Sequence, residues 1–130
     1  MNNSVKGEEE LDCIFAYSRA DAIKDGVLVD VSEMAREAGF RFPVALTHAA
    51  FETCVSVPAN VPCQDEEGRL WDVLNVARFS ILQSEHAREV VFTPRVKNDA
   101  GRAKHRQLKA VVGAGDSGEP VVTIMLPTED

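Results

Sequence analysis

The chain has 130 residues, of which 45% are hydrophobic and 27% charged, and its formal net charge is −7. These proportions are typical of one globular domain and exclude a fibrous or largely disordered protein. No apolar run approaches the roughly 20 residues that span a bilayer, and the N-terminal segment is polar and acidic, which is unlike a signal peptide and predicts a cytoplasmic protein.

The first residues of the chain predict an unstructured segment followed by a compact one. Residues 1–10 lack an apolar pattern and end in three glutamates, so we expect a disordered, acidic lead-in. A single α+β domain is then expected over residues 11–130. Within it, residues 13–17 favour a short strand, and Ser18 is placed to cap a helix that Gly26 closes.

The next segment alternates short strand and helix signals. Residues 27–31 are β-branched and predict a short strand. Asp30 followed by Glu33 resembles a capping box for a helix of about two turns, which Gly39 ends. The apolar positions of residues 44–55 recur with near-helical spacing, so this segment is predicted to be a helix.

The middle of the chain predicts a loop and then the longest helix. Residues 58–69 are rich in proline and acids, as loops are. Residues 69–85 carry a broad apolar stripe, which predicts the central helix of the core. We expect its side chains Trp71, Leu74 and Ile81 to be buried against the sheet.

After Arg88 the spacing of the apolar residues changes from a helical repeat to alternation at every second residue. Residues 89–97, 106–113 and 120–127 read as three strands, which predicts an antiparallel meander. The expected fold class is therefore α+β, with a mainly helical N-terminal two thirds packed on a C-terminal three-stranded antiparallel β-meander.

The connection "GAGDSGEP" at residues 113–120 matches two known motifs. Its glycines spell the G-x-G-x-x-G of a dinucleotide-binding loop, but only 12 residues follow Gly118, too few for the helix, second strand and acid of that motif. "GDSG" also resembles the nucleophile motif of chymotrypsin-like proteases, with His48 and Asp72 preceding Ser117 in the same order. Those enzymes need two β-barrels, for which this chain is too short, so we interpret the segment as a hairpin loop.

No other pattern predicts catalytic, cofactor-binding or metal-binding residues. His48 and Glu52 lie one helical turn apart without a third ligand, and the acids at 65–67 read as a solvated loop before a helix. The three cysteines form no C-x-x-C pair, so neither a disulfide framework nor a zinc site is expected. No cofactor is therefore predicted.

Positive charge is concentrated between residues 95 and 109, against the single acid Asp99. The segment contains candidate contacts for a polyanion, namely Arg95, Lys97, Arg102, Lys104, Arg106 and Lys109. Phe92 is the only aromatic residue near them that could stack on a base. A solvated basic hairpin is the alternative interpretation.

Three blocks of the sequence, at residues 16–52, 68–74 ("GRLWDVL") and 113–130, resemble a family of small single-domain bacterial proteins of unassigned function, often carried on plasmids, phages and integrated elements. The resemblance covers residues 13–130. It implies a mobile-element accessory protein, and such proteins often block host restriction or CRISPR systems. It supplies no site residues.

Three functions stay open at this stage. The first is an acidic protein-binding module with an unidentified protein partner, such as an inhibitor of a host defence system. The second is an accessory protein that contacts nucleic acid through the basic hairpin at 95–109. The third is a small enzyme, for which the sequence reveals no convergent set of catalytic residues. No membrane partner is expected.

Overall fold

The computed structural model describes residues 17–59, 64–85, 87–98 and 103–130. The predicted lead-in at 1–10 lies outside the described residues, as does most of the strand expected at 13–17. The elements, in chain order, are α1 Arg19–Lys24, β1 Leu28–Asp30, α2 Ser32–Glu37, β2 Val44–Thr47, α3 His48–Cys54, α4 Glu66–Gln83, β3 Glu89–Phe92, β4 Arg95–Val96, β5 Lys104–His105, β6 Leu108–Ala114 and β7 Pro120–Met125.

The main sheet has five strands in the order β1-β2-β7-β6-β3. Strands β2 and β7 are parallel, whereas the other neighbouring pairs are antiparallel. The predicted three-stranded antiparallel meander is therefore wrong, because two strands from the first half of the chain join this sheet. The sheet is mixed, and β7 lies at its centre.

Strand β2 explains this error. Its residues Val44, Ala45 and Leu46 are all buried, as expected of a central strand that is covered on both faces. Such a strand shows no alternation, and its apolar residues run directly into those of α3. The combined spacing of these apolar residues is therefore close to that of a single helix. The segment 44–55, predicted as one helix, is a strand followed by a helix. Thr47 separates them, because its hydroxyl accepts a hydrogen bond from the Ala50 N–H at 3.2 Å.

Two of the short helices end as their sequences predict. The Ser18 hydroxyl accepts from the Asp21 N–H, and Gly26 follows α1 with φ of 80°. Gly39 follows α2 with φ of 106°. The predicted capping box is wrong, because α2 starts after Val31 and the Asp30 carboxylate accepts from the Ser32 N–H instead.

Helices α2, α3 and α4 pack on one face of the sheet and enclose the core. Helix α4 contributes its residues Leu70, Val73, Leu74 and Ala77, which recur every three or four positions. Leu74 is fully buried, as predicted, but Ile81 is only partly buried and Trp71 is 41% exposed. Trp71 lies about 100° around the helix from Leu70, which places it outside the buried stripe.

Helix α1 lies on the other face of the sheet. Thr123 alternates with Val122 and Ile124, which belong to the core, so its side chain points away from them. The Arg19 guanidinium donates to the Thr123 hydroxyl at 2.6 Å and to the Val122 carbonyl at 2.9 Å. Arg19 therefore fixes α1 across the central strand.

The strand predicted at 89–97 is interrupted. Strand β3 ends at Phe92, and β4 resumes at Arg95 after the buried Pro94. Strand β4 leaves the sheet and pairs with β5 in a separate antiparallel ribbon, with Arg95 opposite His105 and Val96 opposite Lys104. Proline has no N–H to continue the ladder, which accounts for the break. The ribbon lies next to α4 and positions the site described below.

Candidate functional site

The glycine-rich loop between β6 and β7 is a hairpin connection, as predicted. Strand β7 begins at Pro120, opposite Ala114, so Gly118 is followed by a strand and not by a helix. This geometry excludes a dinucleotide-binding loop, whose last glycine must lie in a helix. Of its three glycines, only Gly118 has a positive φ, of 82°.

Asp116 gives this loop a structural role. Its carboxylate accepts from the backbone N–H groups of Arg19 and Ala20, at 2.8 and 3.0 Å. These two hydrogen bonds lower the pKa of Asp116, because they favour its charged form. They also attach the hairpin to the first turn of α1, whose N–H groups lack intrahelical partners.

The residues of the protease-like motif lie in different parts of the molecule. His48 lines a groove beside Tyr17, and Asp72 lines a separate groove beside Lys97. Ser117 belongs to the β6–β7 hairpin, where its backbone N–H donates to the Glu119 carboxylate at 3.0 Å. The order of these residues in the sequence therefore does not correspond to a triad in space.

Metal-ligating side chains do not converge in the part of the chain that the structure describes. No group of three or more His, Cys, Asp or Glu residues there is placed to hold a metal ion. Cys54 is buried in the core, and burial raises the pKa of its thiol to about 11. A thiol with this pKa is protonated at neutral pH, so it is a poor ligand and a poor nucleophile.

The structure divides the predicted polyanion contacts into two groups. Arg95 and Lys104 lie exposed on the β4–β5 ribbon, Lys97 follows β4, and Arg106 is half-buried after β5. Lys109 is instead buried on β6, with its amine 3.8 Å from the Glu89 carboxylate. Arg102 lies outside the described residues. The ribbon is therefore the basic element, and Lys109 belongs to the sheet.

A groove of about 610 Å³ separates this ribbon from α4. Trp71, Asp72 and Asn75 line it from the helix, and Arg95 and Lys97 line it from β4 and the residue after it. Gln64, Val76, Pro94 and Ala103 complete the lining. The exposed Trp71 indole thus shares one groove with two cationic side chains. We call it the Trp71 groove.

Sequence reasoning missed Trp71 as a member of this site. Phe92, which it considered as the stacking residue, is only 3% exposed and belongs to the core. Trp71 is the single tryptophan of the chain, and it stands one position away from the buried stripe of α4. If only positions three or four residues apart are assigned to the buried stripe of α4, Trp71 is predicted to be exposed.

Arg69 fixes the ribbon to the helices. It lies at the start of α4, is only 6% exposed, and donates to the Lys97 carbonyl at 2.5 Å and to the Asn98 side-chain oxygen at 2.6 Å. The Asn98 amide in turn donates to the Thr53 carbonyl at 2.7 Å. This network connects the end of β4 to both α3 and α4. It therefore determines where Lys97 lies in the Trp71 groove.

Two further arginines, Arg69 and Arg106, lie beside the ribbon. Arg69 and Arg106 both lower the pKa of the Cys54 thiol, against the larger effect of burial, so both guanidinium groups lie near it. The buried Nε atoms of these two arginines have no hydrogen-bond partner. Among residues 17–59, 64–85, 87–98 and 103–130, no carboxylate forms an ion pair with either arginine or with Arg95. Unneutralised cations of this kind attract anions.

A second groove, of about 830 Å³, has the opposite character. Asp25, Glu129 and Asp130 line it together with Tyr17 and His48. The Tyr17 hydroxyl donates to the Asp25 carboxylate at 2.6 Å, and this hydrogen bond, with the nearby negative charge, raises the pKa of Tyr17 to about 12. We call it the acidic groove.

None of the helices in the described segments is both long and apolar enough to cross a membrane.

Comparison with known proteins gives one match. Searches among curated proteins and among solved structures returned no match. The model of DUF6573, a family of unknown function, matches residues 1–130. Because this match covers the whole chain, the protein belongs to the family DUF6573.

Proposed function

We propose that the protein contacts single-stranded nucleic acid through the Trp71 groove. The observation that carries the proposal is the exposed indole of Trp71 in one groove with Arg95 and Lys97. Proteins that bind single strands combine an aromatic surface, on which a base stacks, with cations that follow the phosphate backbone. The arrangement supports a single strand and not a duplex, because an indole reaches a base face only where the bases are unstacked.

The net charge of −7 limits this contact to short range. A polyanion is repelled by the molecule as a whole and attracted only near the ribbon, where Arg95 and Arg106 have no ion pair among the described residues. We therefore expect modest affinity. Two neutralised phosphates would give a slope of roughly −1.4 when log K is plotted against log salt concentration.

The single tryptophan makes the proposal directly measurable. We expect a decathymidylate to quench the fluorescence of Trp71, since the base would stack on the indole, and a labelled copy of the oligonucleotide to gain anisotropy on binding. The double variant R95E/K97E should lose at least tenfold in affinity and most of its salt dependence. Its fold should be kept, because Arg69 holds this segment through the Lys97 carbonyl and the Asn98 side chain, not through the Lys97 amine.

A matched charge change elsewhere is the control. K24E/R36E alters two exposed cations on α1 and α2, away from the residues that line the Trp71 groove, and produces the same net charge. It should reduce affinity much less than R95E/K97E does. Equal losses in the two variants would mean that only the overall charge matters, and absence of binding by the parent protein would refute the proposal.

A protein-binding module is the second candidate function, and the acidic groove is the observation that favours it. A groove with three carboxylates and an exposed tyrosine suits a basic surface, such as one that binds DNA phosphates. The sequence resemblance to mobile-element proteins suggests an inhibitor of a host restriction or CRISPR system as its biological context. This function rests on the resemblance and on charge.

Affinity capture from the native bacterial host distinguishes the two candidates. A single stoichiometric protein partner, lost in D25N/D130N and retained in R95E/K97E, would support the protein-binding module. Nuclease-sensitive material with the reverse dependence on the variants would support the nucleic-acid contact. Asp25 and Asp130 are suitable targets because both are exposed, whereas Glu129 accepts a structural hydrogen bond from the Thr47 hydroxyl.

A further inference from the structure

The two walls of the Trp71 groove differ in hydrogen-bonding character. The ribbon wall presents the donors Arg95 and Lys97, which carry positive charge. The helix wall presents Trp71, Asp72 and Asn75. This difference indicates which part of a bound strand would lie against each wall. The inference drawn from it rests on the function proposed above.

Asp72 is the residue that a simple phosphate-binding groove does not explain. It is exposed and directly follows Trp71 in α4, and its carboxylate forms no ion pair or hydrogen bond with any residue the structure describes, although two cations line the same groove. An ionised carboxylate accepts hydrogen bonds and donates none. It would repel a phosphate at the helix wall, so the phosphates of a bound strand belong at the ribbon wall.

Asn75 adds a second acceptor to the same wall. It lies one helical turn from both Trp71 and Asp72, and its Nδ2 donates to the Trp71 carbonyl at 2.8 Å. This hydrogen bond fixes the orientation of the amide. Its Oδ1 stays available as an acceptor, next to the second hydrogen of Nδ2. The helix wall thus offers acceptors beside an aromatic face.

We propose that the base stacked on Trp71 is guanine, recognised by the Asp72 carboxylate. Guanine is the only common base whose Watson–Crick edge presents two adjacent donors, N1–H and the N2 amino group, which match the two oxygens of a carboxylate. Adenine and cytosine present one donor beside a ring-nitrogen acceptor, and thymine or uracil presents one donor between two carbonyl acceptors. In each of these bases, an acceptor would face the carboxylate and weaken the contact.

The arrangement assigns each part of the nucleotide to a wall. The base lies against α4, with its face on Trp71 and its edge toward Asp72, with Asn75 on the same wall. The phosphates lie against Arg95 and Lys97. The groove has a volume of only about 610 Å³, so the preference concerns one position within a short strand.

Decathymidylates with one central substitution test this proposal without forming guanine quadruplexes. We expect the oligonucleotide with a central guanine to bind roughly tenfold more tightly than those with adenine, cytosine or thymine at that position, which is within the usual range for a bidentate contact to a base. Hypoxanthine in place of guanine removes the N2 amino group and one of the two donors. It should lose most of the advantage.

The variant D72N separates base recognition from strand binding. Asparagine presents one acceptor oxygen beside an NH2 donor, so it cannot match the two donors of guanine with two oxygens. The preference for guanine should therefore fall to less than about twofold, while the affinity for the all-thymine strand stays equal or rises. E67Q is the matched control, because Glu67 is an exposed acid of α4 that lines a different groove. It should retain the preference.

Each outcome bears on a distinct claim. Equal affinity of the parent protein for all of the oligonucleotides would overturn the guanine proposal, and so would a preference that survives D72N. Either result leaves the nucleic-acid contact standing if binding still needs Arg95 and Lys97. Failure to bind any of the strands would overturn both.

Discussion

The hairpin loop at 113–120 and the Trp71 groove differ in how well sequence motifs indicate their roles. The loop matches two known motifs, yet its distinctive residue Asp116 holds the N-terminus of α1. The groove matches no motif, yet it gathers an exposed indole and two cations from segments more than 20 positions apart in the sequence. A match to a sequence motif is thus a weaker indication of chemistry than a set of side chains that the fold leaves exposed in one groove.

The sharpest test of this comparison uses the two sides of α4. Leu74→Ala should lower the free energy of unfolding by about 2 to 5 kcal/mol, since the leucine is fully buried in the core. Trp71→Ala should change it far less and abolish oligonucleotide binding. Chemical denaturation and anisotropy titrations measure the two effects. A large loss of stability in the Trp71 variant would mean that the indole is a packing residue.

The sequence predicts local structure well where a local signal determines it. The cap at Ser18 and the helix ends at Gly26 and Gly39 depend on neighbouring residues, and all three are confirmed. The long helix α4 was also predicted, although it begins three residues earlier, after its cap at Asp65.

The sheet could not be derived in the same way, because its pairing is non-local. The parallel partnership of β2 with β7 joins residues about 78 positions apart, such as Val44 and Val122. Hydrophobic spacing along the chain contains no information about such a partner. The same limit applies to the groove, since the proximity of Trp71 to Arg95 follows from the packing of the ribbon against α4.

Within the hairpin loop, the backbone conformation of Gly118 should matter more than any side chain. Gly118→Val places a β-branched residue at φ of 82°, which costs roughly 1 to 2 kcal/mol even though an added Cβ would meet no atom within 4 Å. Gly113→Val is the matched control, because that position has equal space, no positive φ and a place in β6. Thermal unfolding of both variants should show a loss only for Gly118. Equal losses would contradict the explanation from φ.

The hydrogen bonds of Asp116 predict a stability that depends on pH. Its folded-state pKa is lowered from the ordinary value of 3.8, so the carboxylate stabilises the fold fully above that pH. The contribution is lost as the pH falls through the lowered folded-state pKa. Asp116→Asn should therefore reduce stability at neutral pH and flatten its decline in acid. Identical pH profiles for parent and variant would show that the contact with α1 is not energetically significant.

The smallest effect is expected for Ser117, the residue that the protease-like motif singles out. Its side chain is exposed, and its contact with Glu119 is made by the backbone N–H, which alanine retains. Ser117→Ala should thus change stability by less than about 0.5 kcal/mol and leave oligonucleotide binding intact. A nucleophilic serine needs a base within hydrogen-bond reach, but His48 lines the acidic groove and hydrogen-bonds no described residue of this loop. A fluorophosphonate probe should therefore not label the parent protein. Stoichiometric labelling that disappears in the alanine variant would reverse the comparison, because the loop with the motif would then be the reactive site.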